Sequence, residues 1–293
     1  MISVDNCPSC GNSNFRPLHS SVDTTVSHES FSINTCEGCG LGITSPRPED
    51  TALPQYYHSE DYISHSSKSH GIVGQLYLLA RRFTLRWKCN LIESYFSKGK
   101  ILDYGCGTGQ FLLGMKKKNW EIEGVEPSTV GKSNAEIVTG KKIHSTHFAL
   151  SNQKFDVITL WHVLEHVPDL NNTLKAFHNL LNKDGGIFIA VPNYLSGDSI
   201  YYKEFWAGYD VPRHLWHFSK ESMEFLLKKN GFVLKSIIPM KLDSFYISLL
   251  SEKNKGSSVP KQFIHGLTQG VKSNWKARKN KNHSSLIYFA YPI

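Results

Sequence analysis

Ile101-Leu102-Asp103-Tyr104-Gly105-Cys106-Gly107-Thr108-Gly109-Gln110-Phe111 is the stretch that decides the fold. Lys100 to Tyr104 reads as a short apolar strand carrying an acid near its end. It runs into three alternating glycines, and Gln110 to Asn119 then reads as a helix. Glycines at such a turn remove side chains so that the backbone can approach a ligand closely. The helix that follows points its partly positive amide end at the same place. A dinucleotide fingerprint needs Gly-x-Gly-x-x-Gly; this loop is Gly-x-Gly-x-Gly, with Gln110 where the third glycine belongs. A carboxylate at Asp103 repels a pyrophosphate but accepts hydrogen bonds from an ammonium group. The expected ligand therefore carries an amino acid rather than phosphates.

Outward from this loop, strands and helices alternate. Glu121 to Glu126 is a strand and Ser128 to Thr139 a helix. Phe155 to Leu160 is a buried strand, Leu170 to Leu181 a helix, and Gly186 to Val191 a strand. Lys220 to Asn230 is a helix closed by Gly231, Phe232 to Ile238 a strand, and Leu286 to Tyr291 a last strand. Alternation of this kind predicts an α/β fold with a mostly parallel sheet. In such sheets ligands bind beyond the carboxyl ends of the strands. Glu126, ending the strand after the glycine loop, suits acceptance from ribose hydroxyls. Before the loop, Ile72 to Phe96 repeats apolar residues at helical spacing through Leu76, Leu79, Phe83, Leu85 and Leu91. Pro46 to about Gly74 lacks periodicity and reads as a linker or cover.

These residues resemble the class I S-adenosylmethionine-dependent methyltransferases. Phe155-Asp156-Val157-Ile158-Thr159-Leu160-Trp161-His162-Val163-Leu164-Glu165-His166-Val167 looks like the fourth-strand motif of a bacterial small-molecule branch. Val191-Pro192-Asn193 and Tyr209-Asp210-Val211-Pro212-Arg213-His214-Leu215-Trp216-His217-Phe218-Ser219 fit the same branch. The resemblance covers roughly Lys100 to Ile238 and implies a Rossmann-like, seven-stranded, mostly parallel sheet whose last strand is antiparallel. It implies S-adenosyl-L-methionine as cofactor, its methionine part against Asp103, Gly105 and Gly107, with Cys106 and Gly109 in the same loop. It places the ribose on Glu126, followed by Pro127, and lets Trp161 and His162 line the site. Many relatives carry an acid after the third strand that contacts adenine. Here that region reads Ile143-His144-Ser145-Thr146-His147-Phe148-Ala149-Leu150, so backbone groups or stacking on Phe148 are expected instead.

Methyl transfer from a sulfonium is an in-line displacement, and a base is needed only when the acceptor must lose a proton. Histidine suits that role near neutral pH. His162, His214 and His217 are the catalytic candidates, while His166 and Glu165 read as packing or capping residues. Tyr209, Asp210, Arg213 and Trp216 fall in a loop expected at the carboxyl edge of the sheet, where acceptor contacts are made. Arg213 there could clamp a carboxylate or phosphate, or serve as one half of a salt bridge.

Four of the six cysteines form two Cys-x-x-Cys pairs, Cys7/Cys10 and Cys36/Cys39, each followed by glycine at Gly11 and Gly40. Four thiolates at this spacing predict one tetrahedral zinc ion in a ribbon-like module over residues 1–45. Residues 46–97 then form a linker and helical cover, and 98–293 the methyltransferase domain. A four-cysteine module ahead of this core is also similar to sugar C-methyltransferases. Those carry a further C-terminal domain, for which the residues after Ile238 are too few. Cys89 is expected in a helix core, and Cys106 only needs to be small.

Composition is that of a soluble globular chain, with 40% hydrophobic and 20% charged residues. No run of about 20 apolar residues predicts a membrane span, and Met1 to Pro8 lacks a signal-peptide pattern, so a cytoplasmic protein with reduced thiols is expected. The formal net charge of +8 concentrates in Lys116–Lys118 and in Lys272, Lys276, Arg278, Lys279 and Lys281. Such clusters are solvated faces or attract nucleic acid, nucleotide sugars or anionic membranes. The partner expected is a small-molecule acceptor such as a sugar or metabolite. RNA or protein methylation through the ribbon and basic tail is the second reading, and a non-catalytic cofactor-binding protein the third. Trp161-His162-Val163-Leu164 stands where an amino-directed nucleic-acid enzyme would carry Asn-Pro-Pro-Tyr.

Overall fold

The structure, a computed structural model, describes the backbone of residues 1–57 and 72–293, and the side chains of these except 72–80. Strand β1 (Phe15–Val22) pairs antiparallel with β2 (Ser30–Cys36), and β2 with β3 (Gly42–Thr44). Helix α1 (Ile72–Glu93) precedes β4 (Lys100–Tyr104), α2 (Gln110–Lys117), β5 (Glu121–Val125), α3 (Thr129–Thr139) and β6 (Phe155–Trp161). Then come α4 (Leu170–Leu180), β7 (Leu181–Pro192), α5 (Gly197–Tyr202), β8 (Trp216–His217) and α6 (Lys220–Lys229). The chain closes with β9 (Phe232–Pro239), α7 (Asp243–Asn254), α8 (Val259–Asn280) and β10 (Ser285–Pro292).

The main sheet has six strands in the order β5-β4-β6-β7-β10-β9. The parallel register pairs Ile101 with Ile122 on one side of β4 and with Val157 on the other. Ile101, Leu102, Ile122, Val157 and Ile158 are all buried. Covered on both faces, such strands read as continuous apolar runs. The expected seventh strand is corrected to a single bridge. His144 pairs in parallel with Val125, exchanging backbone bonds of 2.9 Å to Gly124 and 2.8 Å from Glu126. Within three residues the chain turns into a 3₁₀ segment, His147–Leu150, so no ladder can extend. In α1, Leu76 and Leu79 lie outside the described side chains. Phe83 is exposed, and Cys89 and Ile92 are the buried positions. The linker reading lies outside the described residues for 58–71; before them Leu53–Tyr57 forms a 3₁₀ turn burying Leu53 and Tyr56.

Apart from residues 58–71, the chain forms two compact units. One comprises residues 1–57, His162–Leu174 and Ile189–Ala290; the other comprises residues 72–161, Lys175–Phe188 and Tyr291–Ile293. In the first, the cysteine segment is built into its surroundings. Strand β3 pairs antiparallel with β8, Gly42 opposite His217 and Ile43 opposite Trp216. A Cβ at Gly42 would meet that of His217 at 2.7 Å, so only glycine allows this approach. Phe31 and Ile33 of β2 join a buried cluster with Tyr194, Tyr202, Trp206, Tyr209 and Val211. The residues after Ile238 add α7 and α8, packed on each other.

Candidate active site

In the second unit, β4 delivers Asp103 to the glycine loop. Its carboxylate is 2% exposed and accepts a 2.6 Å hydrogen bond from the Thr159 hydroxyl of β6. Burial pushes Asp103 up to about 7, against the Thr159 hydrogen bond. A carboxyl held at this balance gains from an arriving cation. Gly105, Gly107 and Gly109 all take left-handed backbone, with φ of 73°, 54° and 72°. A Cβ on Gly107 would meet nothing within 4 Å, so its backbone faces open space. The Gly107 amide donates to Glu126 Oε2 at 2.8 Å, and the Ser128 amide to Oε1 at 2.9 Å. Glu126, followed by Pro127, is thereby aimed at the loop. Cys106 is buried under the turn, its thiol pushed up by burial.

Trp161 ends β6 with its ring edge-on to Phe111 at 5.3 Å and Lys88 Nζ 4.4 Å from its centroid. Its indole N–H is buried and has no hydrogen-bond partner among the described residues. Phe148 stands 74% exposed, its ring 4.4 Å from that of His147. Open glycine backbone, a buried carboxylate, a second carboxylate and an orphaned indole donor fit an adenosyl amino acid.

In the first unit, His162 adopts φ +60°, a conformation rare for a residue with a side chain and common at functional sites. Its ring lies between two carboxylates, Nε2 donating to Asp243 Oδ2 at 3.1 Å and Nδ1 3.4 Å from Glu165 Oε1. Burial works against charge on this ring, but Asp243 and Glu165 outweigh it and push His162 up to about 9. The side chain keeps 32% of its surface exposed. Glu165 is fully buried, and neither of its oxygens makes a hydrogen bond among the described residues. Burial opposes its charge, yet His162 holds it below its ordinary value.

His214 lies beside His166, ring centroids 4.6 Å apart, and donates from Nδ1 to the Gly208 carbonyl at 2.9 Å. Burial and the neighbouring His214 push His166 down to about 4. His217 is 3% exposed, its Nε2 3.0 Å from the Thr44 hydroxyl, and burial holds it well below its ordinary value. Tyr209 and Trp216 are buried, the latter donating its indole N–H to the Val167 carbonyl. Arg213 is 1% exposed, and each guanidinium nitrogen is committed: Nε to both Asp210 oxygens, Nη2 to Asp210 and Asp23, Nη1 to the Tyr56 carbonyl. The sequence reading puts Tyr209, Asp210, Arg213 and Trp216 where an acceptor would touch them, and His217 among the catalytic candidates. The structure places Tyr209, Arg213, Trp216 and His217 in the interior and commits Asp210 to Arg213, because this loop is held down by Asp23 and by the β3–β8 pairing. Sequence reasoning missed Thr159, Asp243, Asp23 and Thr44. Each reaches its partner only through folding, across 56, 81, 190 and 173 residues.

The four cysteines converge in the first unit. Cys7 and Cys39 Sγ are 3.6 Å apart, Cys10 and Cys36 3.4 Å, and all four sulfurs lie within 4.8 Å of one another. Sulfurs about 2.3 Å from one tetrahedral ion sit roughly 3.8 Å apart. The two knuckles repeat each other. Gly11 N–H bonds to Cys7 C=O and Gly40 N–H to Cys36 C=O, while Cys7 and Cys36 donate to Asn12 and Leu41. This donor set and spacing fit zinc.

The glycine turn of the second unit, with Asp103 and Glu126 on either side of it, is of the kind that holds S-adenosylmethionine, and the fold is that of the class I methyltransferases. The chain belongs to the methyltransferase-domain family, whose profile matches residues 78–237, more than half its length. It is 33% identical over 108 residues to the ubiquinone biosynthesis O-methyltransferase of Haemophilus ducreyi, covering 32% of this chain and 45% of that one. With the protein of the same name from Vibrio vulnificus it shares 35% over 111 residues, covering 34% and 46%. The chain thus spans less than half the length of the curated relatives it matches. Its fold is similar to magnesium protoporphyrin IX methyltransferase from Synechocystis PCC 6803 with bound SAH. There the TM-score is 0.54 at 13% identity, covering 84% of this chain and 100% of that one.

Proposed function

We propose that this protein transfers a methyl group from S-adenosylmethionine to a hydroxyl oxygen of a small molecule, and that its four N-terminal cysteines hold a structural zinc ion. The observation that carries the first part is the buried carboxylate of Asp103 beside an open glycine backbone, with Glu126 already aimed at it. Relatives named as O-methyltransferases of ubiquinone biosynthesis support a hydroxyl on a small acceptor. When bound, S-adenosylmethionine supplies a methyl group on a positively charged sulfur. Asp103 accepts the ammonium, Glu126 accepts from the ribose hydroxyls, and Trp161 and Phe148 cover apolar surface. Gly105 and Gly107 keep side chains out of the way.

His162 follows Trp161 directly and is the residue we assign as base. A neutral His162 ring takes the acceptor's proton, and Asp243 and Glu165 stabilise the charge that results. A base held near 9 matches the weak acidity of a hydroxyl better than an ordinary histidine does. His214 sits next to this group as a secondary candidate, whereas His217 and Arg213 position the loop.

Incubation with methyl-labelled S-adenosylmethionine and a panel of hydroxylated aromatics and sugars tests this reading. Label is expected in an ether product. His162→Ala should lower turnover by about 10²–10⁴-fold while product-cofactor affinity is kept. The wild-type rate should rise with pH until about 9, because the ring must be neutral to act. Asp243→Asn removes the main group raising the ring, so its limb should move to lower pH. A His162→Ala enzyme with wild-type turnover, or a limb unmoved by Asp243→Asn, refutes the assignment.

A further inference from the structure

The basic cluster near the C-terminus lies on α8 apart from Lys281, which caps it, and this helix is built inside out. The side it buries is made of small residues, Gly266, Gly270, Ser273 and Ala277. A Cβ at Gly266 would come within 2.9 Å of Leu249, and one at Gly270 within 2.6 Å of Phe245, both on α7. The packing against α7 therefore requires small residues there. The large apolar residues point the other way: Ile264 is 64% exposed, Leu267 47%, Val271 57% and Trp275 61%. At 3.6 residues per turn these four fall within an arc of about 80°. They form one stripe along the helix rather than scattered exposures.

Charge of one sign lies along one side of that stripe, with Arg278 within its arc beyond Trp275. Helix α8 carries Lys261, Lys272, Lys276, Arg278 and Lys279, all exposed, and no acidic residue. On a helical wheel Lys261, Lys272, Lys276 and Lys279 occupy the face adjoining the stripe, opposite neither it nor the buried side. Single exposed apolar residues are ordinary on a protein surface; an aligned set ending in tryptophan and flanked by lysines marks an interaction site. The tryptophan, the aliphatic row and the lysine flank are the features of a helix that lies in a bilayer interface, with apolar side chains among acyl chains and lysines reaching the headgroups. None of the described helices is long and apolar enough to cross a membrane, so the mode is surface contact.

We propose that α8 docks the protein on an anionic phospholipid surface. The stripe Ile264, Leu267, Val271 and Trp275 enters the interface, and Lys261, Lys272, Lys276 and Lys279 engage lipid phosphates. The positive charge selects this occupant, since an apolar protein partner would not need a flank of a single sign. The inference does not depend on the methyl-transfer reading, because no residue of α8 belongs to the cofactor loop or to the His162 group.

Co-sedimentation of the full chain with vesicles tests it. One set is pure phosphatidylcholine, the other contains phosphatidylglycerol. Binding to the anionic vesicles should exceed binding to the neutral ones by at least about tenfold and fall in high salt. Neutralising Lys272, Lys276 and Lys279 together with glutamine should weaken it by on the order of 100-fold. An Ile264→Ser, Val271→Ser, Trp275→Gln variant should also lose it; all three side chains are exposed, so its unfolding midpoint and its affinity for S-adenosylhomocysteine should stay at wild-type values. The difference in emission between wild type and Trp275→Phe should shift to the blue on anionic vesicles. Equal binding to both vesicle types overturns the proposal, as does undiminished binding by the stripe variant. Dissociation of a wild-type dimer by that variant, with no vesicle binding by either form, would assign the stripe to a second copy of the chain and equally overturn it.

Discussion

Replacing Arg213 with alanine is expected to lower the free energy of unfolding by about 3–5 kcal/mol, the cost of breaking a buried ion pair from one side. The guanidinium is 1% exposed and the Asp23 side chain 0%. Removing the cation strands Asp23 and part of Asp210 in the interior and leaves the Tyr56 carbonyl without its 2.9 Å donor. Arg213→Lys should recover only part of this, because an ammonium cannot present the planar fork that meets Asp210, Asp23 and Tyr56 together. The pH dependence has a definite sign. Burial opposes ionisation of both acids. Nevertheless Asp23, held by the Ser27 amide and Arg213, and Asp210, held by Arg213, lie below their ordinary value. Carboxyls depressed in the folded state contribute stability above the unfolded value of about 4 and lose it as pH falls through the folded one. Wild type should therefore weaken progressively below about pH 4, and the alanine variant should lose this part of the acid transition. Urea midpoints across pH measure both. A loss under about 1 kcal/mol would show that the network is not a keystone of the loop.

The second large effect is expected at the cysteines. Protein purified without chelator should carry one zinc per chain, and Cys36→Ser should lose it. Structural zinc contributes roughly 10–16 kcal/mol of binding energy in small modules, and that energy becomes folding energy. Cys36 ends β2, which pairs with both β1 and β3; β3 in turn pairs with Trp216 and His217 of β8. Loss of the ion should therefore spread beyond the knuckles to the loop held by Arg213. Proteolysis between β1 and β3 and a lowered unfolding midpoint would report it. Metal analysis finding no zinc, or a Cys36→Ser chain as stable as wild type, contradicts this part.

The parts legible in the sequence are those whose signal is local. Strand β4 and the loop after it announce themselves through a buried apolar run, an acid and three glycines within eleven residues. Glu126 follows one strand later. β9 and β10 came within a residue of their observed ends because apolar runs stop at turn residues. The N-terminal sheet did not show itself: β1 is mostly half-buried or exposed, and its sheet is completed by a strand 175 residues from Gly42. Helix α8 reads in sequence as a basic tail because its apolar positions face outward, the reverse of the usual pattern. At the site, His162 could be found from its place after β6, but the two carboxylates that set its basicity could not be paired with it. Glu165 reads as a capping residue by spacing, and Asp243 arrives from a helix that the pattern did not reveal. The seventh strand failed for a physical reason as well, since only His144 reaches β5 before the 3₁₀ turn begins.

Calorimetric titration of the full chain with S-adenosylhomocysteine is the most direct test of the central claim, that Asp103, the glycine turn and Glu126 form a pocket for an adenosyl amino acid. The account predicts one saturable site, no comparable heat from a nicotinamide dinucleotide, and loss of the site in Asp103→Ala with folding intact. Absence of binding to the wild-type chain, or affinity unchanged in Asp103→Ala, would contradict it.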